Sequence, residues 1–356
     1  MAFDTRAAVA RSALRRLTDA ALDPQELLHE ASLKIQRVVP YDTAGWMTLD
    51  PETLLPTGNV RMGKSSSLVD SFWRNELLSD DLHKFTDLAR RPIPVAAMSA
   101  ADTTESARWQ EILVPAGLGD EARVVFRSGG ATWGAACIHR DGDSADFDVE
   151  ERAFLANVAS ELGRGLQLSL ARRPELDASI PAPGVVLLDG DLRIVSATAE
   201  ARKLITLFPG DPGITVFGVA ARAKRSGSGS RARVRLRDGR WLLLHAARLL
   251  GGSWSRPEVE RVAVTFDPAP RSDVTWLRLR LHGLSTRERC VAELLLTGLP
   301  TDALARQLHI SRHTLRDHTK AIFAKVGASS RSELTAMLND DLAGLHLPTS
   351  THTLRV

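Results

Sequence analysis

Cysteine is almost absent: the 356 residues hold two, Cys137 and Cys290. Two thiols exclude a disulfide framework and a four-thiolate zinc site. Long apolar runs are lacking as well. No stretch approaches the roughly 18 residues of a membrane span, and Trp241 to Leu250 is interrupted by His245 and Arg248. The N-terminus carries Arg6, Arg11, Arg15 and Arg16, but no apolar segment follows, so no secretory leader is expected and the chain reads as cytoplasmic. Catalytic signatures are missing too: there is no phosphate loop, no H-E-x-x-H and no G-x-S-x-G. Nor can the acidic cluster and phosphorylatable Asp of a receiver domain be assembled. Asp80-Asp81 is an isolated acidic pair, read as a solvated helix end. The expectation is a protein that is not an enzyme, with no catalytic residue, resident cofactor or metal.

What is present is an ordinary globular composition. Hydrophobic residues make up 44% and charged residues 25%, which excludes wholesale disorder, and the length fits two or three domains. Lys and Arg number 46 against 43 Asp and Glu, a net charge of +3. That average conceals an asymmetry. Between Thr275 and Asp340 stand ten basic and six acidic residues, so the last fifth of the chain holds all the excess. A cationic segment of this kind suits a polyanion, although a solvated helical surface has the same composition.

Residues 284–338 read as four short helices. Ser285-Thr286-Arg287-Glu288 is a capping box, followed by Cys290, Val291, Leu294 and Leu295 at helical spacing, and Gly298 stands at a left-handed C-terminal cap. A second helix follows Pro300-Thr301 and packs through Leu304, Ala305 and Leu308. After the turn His309-Ile310, Ser311 caps a third helix that runs to about Val326 and stops at Gly327. Ser330-Arg331-Ser332-Glu333 is a second capping box.

The third helix places Leu315, Ile322 and Val326 on one face, with His318 and Thr319 between them. Arg312, Arg316 and Lys320 recur every four residues on the other side. His318, on the packed side, is expected to be a core histidine. Two short helices joined by a tight turn, the second basic on its outer side, make a helix-turn-helix that fits the DNA major groove.

The run Leu284-Ser285-Thr286-Arg287-Glu288, then Gly298-Leu299, Leu304-Ala305, Leu308-His309-Ile310-Ser311, Thr314-Leu315-Arg316-Asp317-His318 and Lys325-Val326-Gly327, resembles the LuxR/FixJ-type helix-turn-helix over roughly 55 residues. The resemblance implies a transcription regulator whose C-terminal domain dimerises and reads a two-fold site in double-stranded DNA. By position it implies that Arg316, Asp317 and Lys320 face bases and that Ser311, Arg312, His313 and Thr314 lie at phosphates. Arg316 is suited to a bidentate pair with guanine, and Lys320 to guanine or phosphate. Asp317 can accept from a cytosine amine or orient Arg316. The Ser311 and Thr314 hydroxyls sit at a positive helix end, a natural phosphate seat. The chain departs from the family at Pro300 and Ala303, where a Ser cap and an acidic residue are usual. Either Thr301 takes over as cap or Pro300 is the first helical residue.

Upstream, residues 1–172 alternate helical and strand patterns. They include a helix from Gln25 to Val39, a strand from Ala44 to Leu49 and a hairpin around Ser128-Gly129-Gly130. A long helix, opened by Asp148 and Glu151, runs to about Leu170. Trp133-Gly134-Ala135-Ala136-Cys137-Ile138-His139-Arg140, followed by Phe147 and that helix, resembles a GAF sensor domain. Arg172-Arg173-Pro174 and Pro181-Ala182-Pro183 mark a linker. Residues 183–268, with strands around Gly190-Asp191 and Asp238-Gly239 and another from Val262 to Phe266, look like a PAS domain with a short helical middle. Ser226 to Ser230 reads as a flexible loop. Arg231, Arg233, Arg235 and Arg237 alternate with apolar residues, which reads as the solvated face of a sheet, with an anion patch as the rival.

The expected architecture is therefore multi-domain: a GAF-like domain (1–172) and a PAS-like domain (183–268), both α+β, then an all-α four-helix helix-turn-helix domain (278–340). The expected partners are double-stranded DNA, a second copy of the chain in a homodimer, and a small-molecule effector in the GAF-like or PAS-like domain. No membrane is expected. The helix from Asp148 to Leu170 is a candidate dimerisation element, unless its apolar residues cover its own sheet. The alternative is a cofactor-bearing sensor whose helix-turn-helix is only the output, with His83 or His139 as haem ligands. Cys137, on a buried strand, is read as inert.

Overall fold

The computed structural model describes residues 3–20, 22–63, 68–98, 102–171, 182–249 and 260–339, and the expected linker at Arg172-Arg173-Pro174 lies outside them. The chain divides into two compact units, Met1–Pro270 and Arg271–Val356.

The first unit opens with α1 (Phe3–Asp19) and α2 (Pro24–Gln36). Asp23 caps α2 by accepting from the Gln25 N–H at 2.9 Å, with Pro24 as the first helical residue. Strands β1 (Thr43–Leu49) and β2 (Pro56–Met62) are followed by α3 (Val69–Leu78), α4 (Phe85–Leu88), β3 (Val95–Ala97) and α5 (Asp102–Glu105). A π-helical turn, Trp109–Leu113, leads to the long strands β4 (Leu118–Ser128) and β5 (Ala131–Asp141). Between them Gly129 and Gly130, at φ +58° and +71°, form the two-residue turn that the sequence signals. The five strands form one antiparallel sheet in the order β2-β1-β5-β4-β3.

Helix α6 (Val149–Ala171) starts with a reciprocal cap. The Glu151 N–H donates to Asp148 Oδ1 at 2.8 Å and the Asp148 N–H to Glu151 Oε2 at 3.0 Å. Phe154, Leu155, Val158, Leu162 and Leu166 are buried as α6 packs on β4 and α1. At Gly163 a Cβ would lie 2.5 Å from the backbone of Arg127, so only glycine allows this approach. The apolar seam of α6 thus covers its own sheet, and the dimerisation reading of those residues is withdrawn.

A second sheet follows, built from β6 (Gly184–Leu188), β7 (Ile194–Ala197), α7 (Ala199–Ile205), α8 (Pro212–Ser226), β8 (Ser230–Arg235), β9 (Trp241–Leu249) and β10 (Arg261–Pro268). Its antiparallel order is β7-β6-β10-β9-β8, the connectivity of the first sheet repeated. Alternate residues, among them Val186, Val264, Phe266, Leu244 and Val234, are fully buried in the core that also holds Phe208 and Val219. The helical middle is not short, since α8 alone has 15 residues. Only Gly227 to Gly229 separate α8 from β8.

The second unit contains α9 (Arg271–Leu281), α10 (Thr286–Leu296), α11 (Thr301–Gln307), α12 (Arg312–Val326) and α13 (Arg331–Asn339). Leu279, Leu284, Val291, Leu304, Leu315, Ile322 and Leu334 form its core. The expected class holds: two α+β sheets, then an all-α unit, with α9 added to the four expected helices. Among the described residues no helix is long and apolar enough to cross a membrane.

Candidate nucleic-acid interface and cavity

Helix α12 is held by its inner side and its two ends. Leu315, Ile322 and Val326 are buried. Ser311 accepts from the Thr314 N–H at 3.0 Å, and its hydroxyl lies 2.9 Å from that of Thr314. Gly327 closes the helix at φ +82°, and the turn before it uses His309 at φ +52°, a conformation that costs a side chain about 1–2 kcal/mol. The capping box of α10 does a second task. Ser285 and Glu288 exchange bonds at 2.6 and 3.2 Å, and Glu288 Oε2 also accepts from Lys325 Nζ at 2.7 Å, tying α12 to α10. Burial raises the Glu288 carboxyl pKa, but the Lys325 and Ser285 donors outweigh that and hold it at about 2.

The basic residues divide into two groups. Arg287 donates to the Leu308 carbonyl, Arg289 to the Leu284 carbonyl, and Arg331 to the carbonyls of Leu295 and Leu299, so these guanidiniums secure helix ends. Arg316 and Lys320, both exposed, form no hydrogen bond or ion pair with another described residue. Ser311, Arg312, His313, Thr314 and Asp317 are exposed on the same helix. Arg312 pairs with Asp302 of α11, a contact that the sequence reading missed. Asp317 faces His313 at 3.5 Å rather than Arg316, which removes the idea that it orients Arg316. His318 is half-buried, not a core residue, and Cys290 is exposed rather than part of its helix's apolar face. Pro300 occupies the cap position of α11 with no side-chain bond, so Thr301 is the first helical residue and neither expected capping arrangement forms. The second capping box is partly re-routed. Ser330 accepts from the Glu333 N–H at 3.1 Å, but the Glu333 carboxylate reaches back to the Ser329 N–H at 2.7 Å.

The first unit holds a cavity of about 90 Å³ on one face of its first sheet. Thr43, Gly45 and Met47 of β1, Asn59 and Arg61 of β2 and Cys137 and His139 of β5 line it, with Phe72 and Trp73 of α3 opposite. Ile214 of α8 completes the wall, so the helix that covers the second sheet also closes this cavity. Beside it lies a buried ionic cluster. Glu121 accepts from Arg108 Nε at 3.0 Å and stands 3.2 Å from both Arg123 Nε and His139 Nε2. Arg123 also reaches Glu76 at 2.7 Å, and its guanidinium lies 4.6 Å and 5.0 Å from the ring centres of Phe85 and Phe72. Burial raises the Glu121 pKa, yet Arg123 and Arg108 prevail and keep it well below the usual carboxylate range. Burial lowers the Lys84 ammonium to about 8, and burial raises the Cys137 thiol to about 12, consistent with an unreactive thiol.

Asp81 is not a solvated helix end. It accepts from Asn75, Ser106 and the Arg108 N–H, each at 2.7 Å, and its side chain is fully buried beside Arg108. His83 has both ring nitrogens engaged, with Asp102 at 3.3 Å and Arg91 at 3.2 Å. The arginine alternation on β8 is a solvated face only at its ends. Arg233 is buried and pairs with Asp50 at 3.1 Å and Glu52 at 2.6 Å, Arg231 pairs with Glu52 at 2.9 Å, and Arg235 donates to the Ser169 carbonyl at 3.0 Å. These contacts join the second sheet to the turn after β1 and to α6. The rival reading, an anion patch, meets the chain's own carboxylates, which already pair with Arg231 and Arg233.

Residues 282–338 match the model of the bacterial regulatory proteins of the luxR family. A 143-residue stretch is 30% identical to an HTH-type transcriptional regulator from the exeN 3′ region of Aeromonas salmonicida, covering 39% of this chain and 72% of that protein. Among solved structures, Escherichia coli SdiA aligns over 94% of this chain and 97% of its own, at 12% identity and a TM-score of 0.35. A GAF domain/HD domain protein from Geobacter sulfurreducens aligns over 44% of this chain and 95% of its own, at 17% identity and a TM-score of 0.31. Both scores are too low to establish a shared fold.

Proposed function

This chain belongs to the luxR family of bacterial regulatory proteins, and from that premise we propose that it binds double-stranded DNA as a homodimer and reads a two-fold site through α12. Arg316, Asp317 and Lys320 face base edges, while Ser311, Arg312, His313 and Thr314 seat phosphates at the positive end of the helix. The observation that carries this reading is the division of cations: the unit uses other arginines to fix its scaffold and leaves Arg316 and Lys320 uncommitted on an anchored helix. Arg312 exchanges Asp302 for a phosphate on binding. The two copies of α12 stand about 34 Å apart, one DNA turn.

The first-unit cavity is the site of a small effector whose binding alters that spacing. Both ring nitrogens of His83 are engaged, by Asp102 and Arg91, which removes one of the two haem-ligand candidates and favours this reading over the cofactor-bearing sensor. DNA affinity of the full chain, measured over a salt series, tests the interface. The expected result is a steep linear fall of log affinity with log salt, with a slope lowered by about one per subunit in Arg312→Ala. Affinity that does not change with salt contradicts the proposal.

A further inference from the structure

The polar groups around the cavity are almost all committed. The Thr43 hydroxyl donates to the Met62 carbonyl at 3.1 Å, and the Cys137 thiol donates to the Gly45 carbonyl at 3.7 Å. The Asn59 amide donates to the Asp211 carbonyl at 3.3 Å, and its oxygen accepts from the Asp211 N–H at 3.4 Å. His139, 7% exposed, is the exception among the buried titratable groups. Its Nε2 lies 3.2 Å from Glu121 Oε1, whereas its Nδ1 has no hydrogen-bond partner among the described residues.

That arrangement fixes the tautomer. Glu121 faces Arg108 and Arg123, so it is ionised and can only accept. The proton on the neutral ring must therefore sit on Nε2, leaving Nδ1 as a bare acceptor toward the cavity. The interior then presents an apolar, aromatic wall with one ring acceptor, and the indole N–H of Trp73 has no acceptor among the described residues. Arg61 is the cation among the lining residues, and it is exposed at the outer end.

We propose that the cavity takes a compact, uncharged molecule whose apolar body packs against Phe72 and Trp73 and whose single hydroxyl or N–H group donates to His139 Nδ1. A phenol or an indole is the simplest such shape. This rests on the reading of the cavity as the effector site and adds the chemical class of the ligand. A carboxylate is rejected, because the Nδ1 lone pair and the Glu121 charge behind the histidine both repel it. An apolar ring without a donor fits but leaves Nδ1 unpaired.

Phenol, toluene and benzoate are titrated into the full chain by calorimetry, with the chain's tryptophan fluorescence as a second signal. Phenol is expected to bind about fivefold or more tighter than toluene, and benzoate at least about tenfold more weakly than phenol. Equal binding of phenol and toluene, or a preference for benzoate, overturns the ligand class while leaving the cavity as a binding site. Failure of all three to bind overturns the cavity reading itself. In His139→Phe the phenol preference disappears while toluene still binds; a preference that survives overturns the role of Nδ1. Should that variant not fold, nitrogen-15 spectra of the unaltered chain decide. Nδ1 resonates as an unprotonated nitrogen and moves upfield when phenol is added; a protonated Nδ1, or one that does not respond, contradicts the proposal.

Discussion

The two five-stranded sheets of the first unit share one connectivity, yet different side chains fill the face that each turns toward its helices. In the second sheet that face is aliphatic and aromatic apart from Ser230: Val186, Leu244, Val264 and Phe266 close against α7 and α8. In the first sheet the face that meets α3 and α4 carries Glu121, Arg123, Cys137 and His139, together with a cavity. Strand order alone therefore does not determine where a ligand can enter. A face of branched hydrocarbon packs to crystal-like density and leaves no opening. A face of paired charges is shaped by hydrogen-bond directions as well as by packing, and here a cavity lies beside it. Buried ion pairs contribute little net stability compared with apolar residues of the same volume, so their presence on one sheet points to a role other than stability.

The sharpest way to break this comparison is to remove the hub carboxylate. Glu121→Ala leaves Arg108 and Arg123 buried without their shared partner, and the first unit should lose about 3–5 kcal/mol in denaturant melts. Leu244→Ala in the second sheet makes a simple cavity and should cost less, toward the lower part of the about 2–5 kcal/mol range. If the leucine costs more, the charged cluster is not what holds the first sheet's inner face.

The joint between the sheets comes next. Arg233→Ala strands the buried Asp50 and should cost about 3 kcal/mol, splitting one unfolding transition into two as the sheets uncouple. A single unsplit transition in that variant would show that the apolar contacts, including Ile214 on the cavity, carry the coupling alone.

The smallest effect is a pH dependence confined to the first sheet. Burial lowers the folded pKa of Lys84 to about 8, below its unfolded value near 10.5. The folded form thus releases this proton first, and stability should rise as pH climbs from about 8 toward 10, by about 2 kcal/mol at most. Lys84→Met should abolish the rise in denaturant melts of the full chain.

How much of this was legible in the sequence depended on the distance over which each contact acts. The α12 cap at Ser311, its Gly327 stop and its Leu315, Ile322 and Val326 seam lie within about 17 residues, so periodicity and capping rules located them. The Gly129-Gly130 turn was equally local. The arginine strand was misread because its partners are remote: Arg233 meets Asp50 and Glu52 at separations of 183 and 181 residues. Asp81 was misread for the same reason, since Ser106 and Arg108 lie 25 and 27 residues further along the chain. Helix α9 was hidden by the alternation Leu277-Arg278-Leu279-Arg280-Leu281, whose period of two mimics a strand. The free Nδ1 of His139 had no sequence signal, because it depends on a hydrogen bond between neighbouring strands.

The central claim is that an anchored helix offers Arg316 to a base edge, and the most direct measurement is the binding of Arg316→Ala to an operator and to its single-base variants. Loss of discrimination at one base pair in each half-site, worth about 1–3 kcal/mol, with other positions still read, is the predicted result. Uniform weakening on every sequence, with discrimination intact, would contradict it.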